Sequence, residues 1–104
     1  MRKASNIRYV GNFVLQHPEY ADVIDTLLRS EPGKWLCVTD LKRDHGISEG
    51  RGTEDWGTWL SFSKKMKHME FIDTKQTINP IKCWITVMQD KRAELQHVLD
   101  WVKA

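Results

Sequence analysis

At 104 residues, with 40% hydrophobic and 29% charged side chains and a net charge of +2, the chain is sized for one domain with a modest core and is too apolar for an extended disordered segment. Its longest apolar run falls far short of a bilayer span, and its N-terminus lacks the apolar stretch of a signal peptide, which excludes a membrane protein and predicts a cytoplasmic one. Two cysteines, Cys37 and Cys83, suit a reduced compartment better than a disulfide framework.

The first stretch, Ile7 to Gln16, reads two ways. Ile7, Tyr9 and Val10 suit a strand, and Gly11-Asn12 reads as a break before Phe13-Val14-Leu15, so a strand or irregular lead is expected. The next element is clearer. Pro18 suits a first helical turn, and Tyr20, Val23, Ile24, Leu27 and Leu28 form one apolar stripe. Glu19 and Asp22 sit near its positive end, and Pro32-Gly33 stops it. Lys34–Val38 then reads as a short strand. Thr39 is placed to cap a short helix running to Arg43 or Asp44, which His45-Gly46 ends.

After the glycine-containing loop at residues 48–52, Thr53 is predicted to cap a long helix through Met69, with Glu54 and Asp55 in its first turn. Trp56, Trp59, Leu60, Phe62, Ser63, Met66 and Met69 are the candidates for its buried side. Asp55, Thr58, Ser61, Lys64, Lys65 and His68 are left for the outside. Phe71-Ile72 begins a strand, residues 73–80 make a turn, and Ile81–Val87 returns with Ile81, Cys83, Ile85 and Val87 alternating against polar neighbours and Trp84. Leu95, Val98, Leu99 and Val102 mark an amphipathic helix at about residues 90–103. The predicted fold is α+β, a single winged helix-turn-helix domain with a core at about residues 7–88. It has a small antiparallel three-stranded sheet pairing Lys34–Val38 with the two wing strands, and an extra C-terminal helix.

Residues Tyr9 to Glu19, the helix ending Leu27-Leu28, Gly33-Lys34-Trp35, Thr39-Asp40-Leu41 and Gly50-Arg51 occur in that order before a long helix closing on Phe71-Ile72. This resembles the N-terminal winged helix of phage and plasmid replication proteins of the replisome-organiser type, over about residues 7–88. The resemblance implies a nucleic-acid binder of phage or mobile-element origin. The chain departs from the pattern in three places. Glu70 stands where a glycine is usual, the loop at residues 47–52 is long, and a second domain normally follows the first.

Charge is distributed unevenly. Residues 9–33 carry −3, residues 56–88 carry +3, and residues 1–8 carry +3. A polyanion is then drawn to the long helix and wing and repelled from the first clear helix, although a merely solvated lysine face explains the same count. In a winged helix the long helix enters the major groove and the wing meets the backbone. The base-facing candidates are Thr58, Ser61, Lys65 and His68. Lys64, Lys67 and Lys75 are the phosphate contacts. Arg51 is the candidate for a bidentate contact to guanine or phosphate, against a plain ion pair with Glu49 or Glu54. Trp84, on the polar parity of its strand, and Trp101, on the last helix, are the candidates for a protein partner or a homodimer. No metal site is expected, because Cys37, His45, His68 and Cys83 lack a close-spaced ligand pair. No cofactor motif or catalytic constellation is present either. Double-stranded DNA is the expected partner, in transcription control or replication. The rival reading is a protein-interaction winged helix, such as a phage inhibitor of a host enzyme.

Overall fold

The computed structural model describes the backbone of residues 2–104 and the side chains of residues 7–104; Arg2 and Lys3, part of the basic N-terminal segment, therefore contribute no described side chain. Five α-helices and three strands follow in the order α1 (Arg2–Gln16), α2 (Glu19–Arg29), β1 (Leu36–Cys37), α3 (Val38–Asp44), α4 (Glu54–His68), β2 (Ile72–Thr77), β3 (Lys82–Val87) and α5 (Arg92–Lys103). The architecture is mixed α+β, with one antiparallel sheet in the order β1-β3-β2. Leu36 lies opposite Ile85, Cys37 opposite Trp84, and Lys75 on β2 opposite Trp84.

The N-terminal stretch is helix rather than strand. Val10, Phe13 and Val14 are buried at helical spacing, with Ile7 packed beside them. Gly11 does not break the helix because it is a packing position. A Cβ there would lie 2.5 Å from Cε3 and Cζ3 of Trp101 on α5. Beyond α1, helix α2 buries Tyr20, Val23, Ile24 and Leu27 as its stripe predicts. The strand at residues 34–38 is shorter than expected, since Val38 already begins α3 and Cys37 occupies the N-cap position. Thr39 caps nothing; its hydroxyl donates to Glu49 Oε1 at 3.0 Å. The hairpin is longer than expected, with β2 running to Thr77, so the turn is confined to residues 78–81.

The core joins α1, α2, α4 and α5 to one face of the sheet. At its centre the ring of Tyr20 lies 5.3 Å from Phe13 and 4.7 Å from Phe62, and Trp59 lies 5.6 Å from Phe62. Offset aromatic pairs of this kind add to their burial. Helix α5 buries Leu95, Val98 and Leu99 against α1 and α2. Its first residue, Arg92, donates from Nη1 to the Leu28 carbonyl at 2.8 Å and from Nη2 to the Ser30 carbonyl at 2.7 Å. A cation thus satisfies carbonyls at the negative end of α2.

Two helices end in the same way. On α3 the Ile47 N–H donates to the Lys42 carbonyl at 2.9 Å and the Gly46 N–H to Arg43 at 3.2 Å, with Gly46 at φ +68°. On α4 the Phe71 N–H donates to Met66 at 2.9 Å and the Glu70 N–H to Lys67 at 3.0 Å. Glu70 takes φ +61° there without being glycine. Both ends have the double hydrogen bond of a Schellman motif, which requires a left-handed residue.

Candidate nucleic-acid interface

Helix α4 presents three faces. Trp59, Phe62 and Met66 point into the core. Trp56, Leu60, Ser63, Lys64 and Lys67 recur at helical spacing and form one wall of a groove of about 700 Å³. The third face leans toward α1. Lys65 Nζ sits 4.9 Å from the centre of the Tyr9 ring, and the His68 ring lies 6.0 Å from it. Leu60, expected in the core, is instead 45% exposed on the groove wall. It lies off the axis that Trp59, Phe62 and Met66 define.

The opposite wall is the β2–β3 hairpin, through Thr74, Gln76, Ile81, Lys82 and Cys83, and the floor includes Val38, Lys42 and Trp59. Lys42 is the only buried charged residue among those described, at 6% exposure. Its ammonium lies 5.0 Å from the Trp59 ring and 5.4 Å from the Trp56 ring. Burial pulls its pKa below the ordinary lysine value, and Glu49, Cys83 and Asp55 pull it part of the way back. Among the described residues the ammonium has neither a hydrogen bond nor an ion pair; ring faces stand where a carboxylate would.

The loop before α4 is held from both ends. Asp55 Oδ2 accepts the Ser48 N–H at 2.7 Å, so this acid is tied into the loop rather than projecting from the helix. Thr53 holds the N-cap position, yet its hydroxyl donates backward to the Gly50 carbonyl at 2.6 Å and does not cap the helix. The exposed Arg51 places its guanidinium 5.5 Å from the Trp56 ring. It does not pair with Glu49 or Glu54.

The predicted site residues therefore divide. Lys64 and Lys67 stand together on the groove wall with Lys42 and Lys82. Lys75 borders the same groove, but its ammonium lies 4.4 Å over the Trp35 ring. Thr58 donates its hydroxyl to the Glu54 carbonyl of its own helix at 3.1 Å, a common local use of threonine. Ser61 is half-buried and, with Lys65 and His68, lies away from the groove.

Of the partner candidates, Trp84 is half-buried, and its indole N–H donates to Thr77 Oγ1 at 3.1 Å. Trp101 packs on Gly11 and is 37% exposed. The apolar stripe of α5 is buried within the monomer, so on this helix only the partly exposed Trp101 is left for the expected homodimer. Sequence reasoning missed Lys42. The signal available was a lysine one residue after the inward-facing Leu41, two residues before the end of the short helix, and it resembles any surface lysine.

No known protein family, curated protein or solved structure matches this chain. Among the described residues no helix is long and apolar enough to cross a membrane, and no group of three or more His, Cys, Asp or Glu side chains is placed to hold a metal ion. Cys37 and Cys83 are both free. Cys37 pairs across the sheet with Trp84, the neighbour of Cys83, so the two thiols lie on opposite faces.

Proposed function

We propose that this chain is a winged helix-turn-helix protein that binds double-stranded DNA through the exposed face of α4 and the β2–β3 hairpin, in transcription control or replication of a phage or mobile element. The observation that carries the reading is the basic groove between α4 and the hairpin, where Lys42, Lys64, Lys67 and Lys82 meet one acid, Glu49. Two features support it. The element order from α2 to β3 and the sheet order β1-β3-β2 follow the winged-helix plan. The left-handed residue closing α4 falls at Glu70, the position where replisome-organiser winged helices usually carry glycine. The exposed acids Glu19 and Asp22 of α2 lie outside the groove, so the charge asymmetry orients a polyanion toward α4.

The test is salt-dependent binding of random duplex DNA. Replacing Lys64, Lys67 and Lys82 together with alanine is expected to flatten the plot of log affinity against log salt by about two to three units of slope. Lys65→Ala, whose ammonium sits on Tyr9, should leave the slope nearly unchanged. An unaltered slope in the triple variant would remove the DNA assignment.

One observation favours the rival reading. Leu60 on α4 and Ile81 on the hairpin, 45% and 71% exposed, face the same groove, and Ile78 at the turn is 86% exposed. Exposed apolar walls suit a protein partner. No binding of duplex at low salt would select that reading.

A further inference from the structure

We propose that the groove between α4 and the hairpin takes an unpaired nucleic-acid strand, with bases against Trp56, Leu60 and Ile81 and phosphates on Lys42, Lys64 and Lys67. This rests on the nucleic-acid reading of the same face and narrows the form of nucleic acid that fills its floor. The first argument is Lys42. Lys42 is a buried residue whose ammonium lies over two indole rings and, among the described residues, has no hydrogen bond or ion pair. It is free to take an anion even though Glu49, Cys83 and Asp55 already favour its charge from a distance. An oxyanion reaching the groove floor interacts with it in a lower dielectric than at the solvated rim, so the attraction is stronger there. Glu49, the acid in the groove, accepts the Thr39 hydroxyl and acts on Lys42 through its charge, without a hydrogen bond to it.

The second argument is the pairing of flat and apolar surfaces with this charge. Duplex DNA keeps its bases stacked inside and would set only hydrated sugar and phosphate against Leu60 and Ile81. An unpaired strand turns its bases outward and can lay them on such walls. Trp56 already carries a planar guanidinium, that of the exposed Arg51, at 5.5 Å. A base replacing it keeps the stacking on the ring and frees Arg51 for a phosphate. Cations spaced along the groove beside an aromatic platform are the usual construction of single-strand sites. An acidic peptide would use the same charge but has less use for a planar platform.

The experiment titrates the full chain with a short oligothymidylate and with a duplex of equal length, following tryptophan emission and the anisotropy of the labelled DNA. The single strand is expected to quench the emission and bind. Trp56→Leu should weaken that binding about tenfold while changing duplex affinity less than about twofold. Lys42→Gln should lower the single-strand salt slope by about 0.7. Circular dichroism screens both variants for folding. Lys64→Gln with Lys67→Gln, both exposed, gives an independent variant, expected to lower the slope by about 1.4. Binding of duplex without single strand would overturn this inference and leave the DNA reading standing. Absence of both would overturn the DNA reading as well. Single-strand binding unaffected by these variants would show that the groove is not the strand's site, and displacement equally well by polyglutamate would overturn the role of the bases by showing that the groove selects charge alone.

Discussion

Two residues hold conformations or charge states that the rest of the chain must offset. Glu70 closes α4 at φ +61°, a conformation that costs a side-chain-bearing residue roughly 1–2 kcal/mol and glycine almost nothing. Glu70→Gly is therefore expected to raise stability by up to about 1 kcal/mol after the entropy of the added glycine is counted, measured by urea denaturation. Lys42 is the second. Its pKa in the folded protein lies below 10.5, its ordinary value, so between those two values the unfolded chain holds a proton that the folded chain has released. Raising the pH through that window favours folding, and below it the folded state bears the whole cost of the buried charge. The stability of the native chain relative to Lys42→Met should accordingly rise as pH approaches 10.5 and level off on the acid side. A difference that stays flat with pH would mean the ammonium is better solvated than its burial indicates. Tyr20 carries a related cost. Its buried hydroxyl has no hydrogen-bond partner among the described residues, and burial raises its pKa. Tyr20→Phe should leave thermal stability unchanged or increase it, since the lost hydroxyl gives up no bond.

At the scale of elements, what was legible depended on whether a pattern had a single local meaning. Helix α2, with its unbroken stripe and its Pro32-Gly33 stop, could be read directly. So could the second half of β3, where Ile85 and Val87 are buried as the alternation requires, whereas Ile81 and Cys83 on the same parity are exposed because they lie beyond the core. Helix α1 could not, because Gly11-Asn12 signals a break unless the ring of Trp101, 90 residues further on, is known to rest there. Gly11→Ala therefore separates two opposing effects. The added methyl meets a rigid indole, with an expected loss of about 1–3 kcal/mol for overpacking. In a Trp101→Leu background the clash is gone and the better helix propensity of alanine should give a gain of up to about 1 kcal/mol. Thermal melts of the single and double variants would show the reversal of sign. The two faces of α4 were misjudged for a similar reason. Periodicity separates inside from outside, but only the positions of α1 and the hairpin decide which outward residues face a groove. Lys65 and His68 fell on the α1 side and Thr58 and Ser61 off the groove for that reason, while Lys64 and Lys67 fell on the groove side. Arg92 gave no sequence signal of its role either, since its partners are carbonyls more than 60 residues earlier in the chain.

Across the whole molecule, helices α1, α2 and α4 converge on the aromatic cluster of Phe13, Tyr20, Trp59 and Phe62, and α5 packs its stripe on α1 and α2 in the same core. The groove lies beyond it, between α4 and the hairpin, with Trp59 shared by both. Conservative changes at Lys64, Lys67 and Lys82 should leave the core intact and alter only what approaches from solvent. The groove also has a chemical handle. Cys83 is exposed on the hairpin wall, whereas Cys37, the other cysteine of the chain, is buried on the far face of the sheet. A thiol reagent added to the folded protein meets one wall of the groove before it meets anything else, so the alkylation rate of Cys83 becomes a clock for how much of the time that wall is covered.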